Sequence, residues 1–148
     1  LKPYIVNLGF MTDDEIVRDQ DRVRAICDQM QPRLKVLSDI KKADYFFIDN
    51  FSYEEEVIKK YRNEKAFGLL ERYREFLRNT AGSEFKSKAI EVEMRRFAEA
   101  NGIKLREIVH PVRAAITGSE GGPGLFEIME ILGRDKVVQR IDRWLKRT

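Results

Sequence analysis

The apolar residues of this chain recur with the period of an α-helix along most of its length. From Thr12 to Gln31 they lie at positions 16, 23, 26, 27 and 30, which fall on one face of a helix. The same spacing recurs in five further segments, which are residues 34–43, 67–77, 85–98, 105–112 and 137–145. No segment shows the sustained alternation of apolar and polar residues that is typical of a half-buried strand. The pattern therefore predicts an all-α protein.

Local signals predict where several helices begin, end or bend. Thr12-Asp-Asp-Glu15 has the spacing of a capping box at a helix start. Residues 53–62 run from acidic to basic side chains, the order that complements a helix dipole. Pro111 lacks a backbone N–H, so the helix over 105–112 is expected to be kinked or split there.

The glycine-rich stretch and a short aromatic cluster complete the pattern. Residues 117–124 form the glycine-rich stretch of the chain, and Pro123 stands where the first turn of a helix over 125–132 would begin. Residues 45–48 are too short for a helix of their own and are expected to close a core. We predict two packed helical subdomains, residues 1–80 and 81–148, divided between Asn79 and Glu84.

Chain length, charge and cysteine content exclude some classes of protein and do not identify the function. The chain has 148 residues, 43% of them apolar, which suffices for one core or two small adjoining cores. Its 28 basic and 25 acidic side chains give a net charge of +3, a mild bias towards anionic partners, and residues 134–148 hold six basic and two acidic side chains. The single Cys27 and the single His110 exclude an internal disulfide and the common Cys/His zinc sites, which favours a reducing, intracellular setting.

Targeting and catalytic signals are missing from the sequence. There is no apolar run long enough to span a membrane and no export signal, and a start at Leu1 suggests a domain boundary. Residues 118–124 lack the Lys-Ser/Thr ending of a phosphate-binding P-loop. We interpret His110 as a surface or capping residue, and Glu127 and Glu130 as carboxylates that serve solvation and the helix dipole. No catalytic residue and no metal ligand is therefore predicted.

One long segment carries a specific resemblance. Residues 110–133, His-Pro-Val-Arg-Ala-Ala-Ile-Thr-Gly-Ser-Glu-Gly-Gly-Pro-Gly-Leu-Phe-Glu-Ile-Met-Glu-Ile-Leu-Gly, closely resemble the segment near the C-terminus of bacterial-type glutamyl-tRNA synthetases. Residues 32–37 and 43–47 are similar to further stretches of that family, with Pro32 in place of the usual Glu. The resemblance covers nearly the whole chain and implies a helical anticodon-binding domain.

The resemblance also implies which residues meet RNA. The family's anticodon contacts match Arg113, the loop of Gly122, Pro123, Gly124 and Leu125, then Arg95, and Arg33 as a candidate for inspecting the third anticodon base. Unpaired bases are bound by guanidinium planes, apolar platforms and exposed backbone amides, which these residues offer. The alternative is that Arg113 caps a helix beside an ordinary turn and that Arg95 and Arg33 lie on solvated helix faces.

The resemblance implies further features of the parent enzyme. The two catalytic signatures of the family, His-Ile-Gly-His and Lys-Met-Ser-Lys, do not occur here, so this part needs no cofactor and a catalytic domain on its N-terminal side would use ATP and magnesium. The expected partner is tRNA for glutamate, and the family includes members that also accept tRNA for glutamine. A cytoplasmic monomer is expected. The competing hypothesis is a helical protein-interaction scaffold that does not bind RNA.

Overall fold

The computed structural model describes residues 5, 6, 8–31, 43–80 and 84–147. Over these residues the secondary structure is helical, with no strand, and the prediction of an all-α fold is confirmed. The helices are α1 (Asp13–Arg18), α2 (Gln20–Met30), α3 (Glu55–Tyr61), α4 (Glu64–Asn79), α5 (Ser87–Ala100), α6 (Arg106–Thr117), α7 (Leu125–Leu132) and α8 (Arg134–Lys146). The predicted helix over 34–43, apart from Ala43, and the candidate Arg33 lie outside the described residues.

Contacts group the chain into two compact units, Leu1–Phe51 and Ser52–Thr148. The division predicted after Thr80 falls inside the second unit. The physical reason is that helices from both sides of that division pack together: α4 contacts both α6 and α8.

In the first unit, the predicted capping box is present. The amide of Glu15 donates to the Thr12 hydroxyl at 3.2 Å, and the amide of Thr12 donates to the Glu15 carboxylate at 2.7 Å. The helix predicted over 12–31 is instead two helices, because Asp19 leaves the helical region with φ −123° and ψ 43°. The apolar stripe has its widest gap there, between Ile16 and Val23, both of which are buried.

The aromatic cluster closes the core of the first unit, as predicted. Tyr45 and Phe46 are 3% and 0% exposed, within a short 3-10 turn over residues 43–46. The ring of Phe47 stacks on Phe10 with centroids 5.1 Å apart. A guanidinium nitrogen of Arg22 donates to the carbonyl of Phe46 at 2.5 Å, which ties α2 to this turn.

The second unit is built around α6 and α8. Helix α8 packs on α4, α6 and α7, while α7 also packs on α5 and α3 packs on α6. Its largest fully buried side chain is Trp144, whose ring lies 4.9 Å from that of Tyr53 and 5.0 Å from the guanidinium of Arg62. Arg62 also donates to the carbonyls of Trp144 and Arg147, which closes the end of α8 onto the α3–α4 turn.

Helix α6 runs without interruption through Pro111, so of the two predicted alternatives the split helix is wrong, and a kink at Pro111 stays a prediction. Pro111 is buried, and the residues that follow it, Val112, Ala114 and Ala115, are fully enclosed. Packing on α3, α4 and α8 therefore maintains a helix in which one backbone donor is missing.

Candidate nucleic-acid interface

The glycine loop, defined here as Gly118–Gly124, joins α6 to α7 and carries three of the predicted contact residues, Gly122, Pro123 and Gly124. Helix α6 ends at Gly118, which adopts the left-handed conformation with φ 71°. The carbonyl of Gly118 accepts a hydrogen bond from the amide of Glu54 at 2.9 Å. A side chain at this position would place its Cβ 2.6 Å from the carbonyl oxygen of Ser52, so the contact requires glycine. The start of the loop is thereby fixed against the segment that precedes α3.

The far end of the glycine loop is held by Arg113. A guanidinium nitrogen of Arg113 donates to the carbonyl of Pro123 at 2.7 Å. Pro123 is buried, and α7 begins two residues later with Gly124 as its N-cap. Because Arg113 lies on α6, this bond ties the helix before the loop to the start of the helix after it.

A third contact holds the middle of the loop. The carboxylate of Glu120 accepts hydrogen bonds from the Lys60 ammonium at 2.9 Å and from the Tyr61 hydroxyl at 3.0 Å, both at the end of α3. The Lys60 bond, then the Tyr61 bond, lowers the pKa of the Glu120 carboxyl. The same contact is the main reason that the pKa of Lys60 is raised.

The apex of the loop is exposed backbone. Gly121 and Gly122 are both exposed, and Gly122 has φ 121°, a conformation that side chains rarely adopt. A Cβ built on Gly121 would meet nothing within 4 Å. The apex therefore presents peptide groups that another molecule could approach closely.

A groove of about 510 Å³ adjoins the loop between α3, α4 and α6. The rings of Tyr61 and His110 lie nearly parallel in its wall, with centroids 6.3 Å apart and planes inclined by 18°. Lys65 and Glu107 form an ion pair of 2.9 Å across the groove from Glu120. The lining mixes cations, carboxylates, an exposed imidazole and apolar surface.

The structure brings together some predicted contact residues and separates others. Arg113, Gly122, Pro123 and Gly124 form one continuous feature. Leu125 is a correction: its side chain is 3% exposed and packs inward as the first residue of α7, so it offers no apolar platform on this surface.

Arg95 and His110 lie elsewhere on the second unit. Arg95 is exposed on α5 and forms an i,i+4 pair with Glu91 at 3.3 Å, consistent with a solvated helix face. His110 is exposed, as predicted for a surface residue, and lines the groove.

The carboxylates Glu127 and Glu130 have structural neighbours. Glu127 folds back over Gly124 at the start of α7, and Glu130 accepts from the amide of Ser87 at 2.7 Å, which caps the start of α5. Over the residues that the structure describes, no group of three His, Cys, Asp or Glu side chains could hold a metal ion. In the same residues no helix is both long and apolar enough to cross a membrane.

Sequence reasoning missed the contact between Glu120 and α3. Lys60 and Tyr61 precede Glu120 by 60 and 59 residues. No local spacing links positions so far apart, and Lys60 was interpreted only as the basic end of a helix. The one available signal was a lone carboxylate inside a glycine-rich loop.

Known proteins resemble the whole of this chain. A family model described as an anticodon binding domain matches residues 1–145. The glutamate–tRNA ligase of Moorella thermoacetica is 38% identical over 97% of this chain and 30% of that protein. The glutamate–tRNA ligase of Thermus thermophilus is 33% identical over 98% of the chain and 29% of its own length.

A solved structure shows the same fold. The crystal structure of a glutamate tRNA ligase from Elizabethkingia meningosepticum superposes with a TM-score of 0.81 and 21% identity, covering 98% of this chain and 27% of that one. The chain therefore spans less than a third of the length of these relatives. The match of the family model over nearly every residue establishes that the chain belongs to the anticodon binding domain family.

Proposed function

We propose that this chain binds the anticodon loop of the tRNA for glutamate, as one part of a glutamate–tRNA ligase. The observation that carries the proposal is the family match over residues 1–145, in a chain whose relatives are named glutamate–tRNA ligases. The catalytic part of such a ligase, which would use ATP and magnesium to attach glutamate, would lie outside this chain. A cytoplasmic, monomeric parent enzyme completes the proposal.

The glycine loop supports the proposal because it is an exposed backbone segment with fixed ends. Anticodon bases can be splayed out and hydrogen-bonded on their Watson–Crick edges by peptide groups. Gly121 and Gly122 expose such groups, while Gly118 and Pro123 anchor the segment on either side. A loop that is already ordered loses less conformational entropy on binding.

Arg113 has two roles in the proposal. Its bond to the Pro123 carbonyl positions the loop. The guanidinium is also a flat, multiply donating group beside the loop, suited to stacking on or bonding to a base. Arg95 and Arg33 remain further proposed contacts from the family resemblance.

The proposal is tested by titrating the chain into RNA hairpins that carry either the native anticodon of tRNA for glutamate or an altered one, at fixed salt. We expect fluorescence anisotropy to report tighter binding of the native hairpin, and affinity to fall as salt rises because phosphate contacts release counterions. Equal affinity for both hairpins would contradict anticodon recognition. No binding to either would favour the protein-interaction scaffold.

Arg113 variants separate its two roles. Arg113→Ala is expected to weaken native binding by about 1–3 kcal/mol and to weaken binding of the altered hairpin less. Arg113→Lys retains a donor for the Pro123 carbonyl and lacks the planar fork, so full rescue by Lys would assign Arg113 to loop positioning alone. A loss that is equal for every hairpin would instead indicate a phosphate contact.

A further inference from the structure

We propose that Glu120, through its contact with Lys60 and Tyr61, is a positioning residue that holds the apex of the glycine loop in its RNA-binding conformation. This inference rests on the proposed function and extends it to a contact that no sequence motif indicated. We call the three side chains the Glu120 latch.

The latch is the link between the middle of the loop and the body of the second unit. The carboxylate oxygen Oε1 of Glu120 receives both donors, Lys60 Nζ at 2.9 Å and the Tyr61 hydroxyl at 3.0 Å. The other hydrogen bonds described within residues 119–121 are local, such as that from the amide of Ser119 to the Thr117 hydroxyl at 3.1 Å. Among the described hydrogen bonds of residues 119–122, those that reach a helix other than α6 run through Glu120.

The latch restrains the residue that directly precedes the apex of the loop. Gly121 and Gly122 follow Glu120 directly, and glycine has more backbone freedom than any other residue. Anchors at Gly118 and Pro123 fix the ends and leave these peptide groups free to sample several conformations. Fixing Glu120 leaves only Gly121 and Gly122 between it and the anchor at Pro123, which reduces the conformations open to the apex.

Removing the Glu120 carboxylate is expected to weaken RNA binding modestly, although the loss of a negative charge by itself would strengthen it. An exposed ion pair makes a small contribution, and a binding-competent conformation that is populated less often weakens apparent affinity in proportion. We expect Glu120→Ala to weaken binding of the native hairpin about two- to fivefold. Simple electrostatics predicts the reverse, because removing a carboxylate beside RNA reduces repulsion.

The chain provides a matched control. Lys65 and Glu107 form an ion pair of the same length, 2.9 Å, in the same groove, and neither residue touches the glycine loop. Lys65→Met breaks this pair while Glu107 keeps its bond to the amide of Lys104. The Lys65→Met variant should discriminate between the native and altered hairpins as the wild type does.

The experiment measures backbone amide order parameters of residues 119–122 by NMR in the free chain and hairpin affinity in the same variants. Glu120→Ala should lower the order parameters at the apex without changing the unfolding temperature more than Lys65→Met does. The charge swap of Glu120→Lys with Lys60→Glu should restore the higher order parameters. Lys60→Met should weaken binding in the wild-type background and much less in the Glu120→Ala background.

The outcomes separate this inference from the function on which it rests. If the wild-type chain does not prefer the native hairpin, the proposed function fails, and the order parameters alone decide whether the latch orders the loop. If the wild type discriminates and Glu120→Ala binds as well or better with the apex order parameters unchanged, the latch is overturned. If Lys60→Met weakens hairpin binding as much in the Glu120→Ala background as in the wild type, Lys60 contacts an RNA phosphate. That outcome would also overturn the proposed role of the latch.

Discussion

At the scale of single residues, Gly118 joins the glycine loop to the start of the second unit. Two requirements meet there, a left-handed backbone with φ 71° and the absence of a Cβ beside the carbonyl of Ser52. Gly102 has the first requirement alone, with φ 64° and nothing within 4 Å of a built Cβ. The two glycines therefore form a natural pair for separating backbone strain from a steric contact.

We expect Gly102→Ala to lower the free energy of unfolding by about 1 kcal/mol, the cost of a left-handed alanine. Gly118→Ala should lower it by about 1–3 kcal/mol more, because the Ser52–Tyr53 backbone must also move. Urea denaturation of both variants measures the difference. Equal losses of unfolding free energy in the two variants would mean that the backbone around Ser52 moves away from the new Cβ at no measurable cost.

Sequence reasoning at this scale identified residue types better than side-chain directions. It selected the glycine loop and Arg113, which the structure brings together at 2.7 Å between the Arg113 guanidinium and the Pro123 carbonyl. It assigned Leu125 to the surface, but the first turn of α7 directs that side chain inward. A loop motif specifies backbone conformation, whereas side-chain direction depends on the helices packed around it.

At the scale of elements, the capping box of α1 links helix stability to pH. The backbone amide of Thr12, followed by its hydroxyl, lowers the pKa of the Glu15 carboxyl below its ordinary value of 4.5. A group whose pKa is depressed by folding stabilises the folded state above its unfolded pKa. That contribution is lost as pH falls through the lower folded value. The window for this loss therefore lies below about pH 4.5.

Glu15→Gln keeps an oxygen acceptor for Thr12 and removes the titrating group. We expect the variant to protect the Ile16 amide, which is bonded to the Thr12 carbonyl at 3.0 Å, less well than wild type at neutral pH. The deficit should shrink as pH falls below about 4.5, because wild type alone loses a contribution there. Asp13→Asn removes a charge from the same turn outside the capping box and serves as control. A deficit that stays constant with pH would contradict the linkage.

Helix ends were predictable where a local signal existed. The capping box at Thr12, the charge order of α3 and the predicted span 125–132 all agree with helix ends in the structure. The break at Asp19 and the unbroken passage of α6 through Pro111 were not predictable. Both depend on which side chains the neighbouring elements bury, and this tertiary packing cannot be inferred from the sequence of one segment.

At the scale of the whole molecule, the first and second units differ from the subdomains that the sequence indicated. The predicted division lies between Asn79 and Glu84, but α4 before it packs on α6 and α8 after it. Tyr73 on α4 is 1% exposed and contacts Phe97 on α5 with ring centroids 5.1 Å apart. Long-range packing of this kind cannot be deduced from composition.

This arrangement predicts how fragments behave. A fragment that begins at Ser52 contains all of α3–α8 and should unfold in one cooperative transition. A fragment of residues 81–148 lacks α3 and α4, so α6 and α8 lose their packing partners and it should show no cooperative thermal transition by circular dichroism. Cooperative folding of the shorter fragment would instead support a boundary after Thr80.

The enclosed indole of Trp144 has a practical consequence. Trp144 is the one tryptophan of the sequence, it is 0% exposed, and a guanidinium lies 5.0 Å from its ring. Its emission will therefore change when the second unit opens to water, and the melting of α1 and α2 will leave no direct trace in it. Thermal unfolding can therefore be followed by tryptophan fluorescence, which reports the second unit, and by circular dichroism, which reports the helices of both units. A difference between the two unfolding curves would measure the separate stability of the first unit.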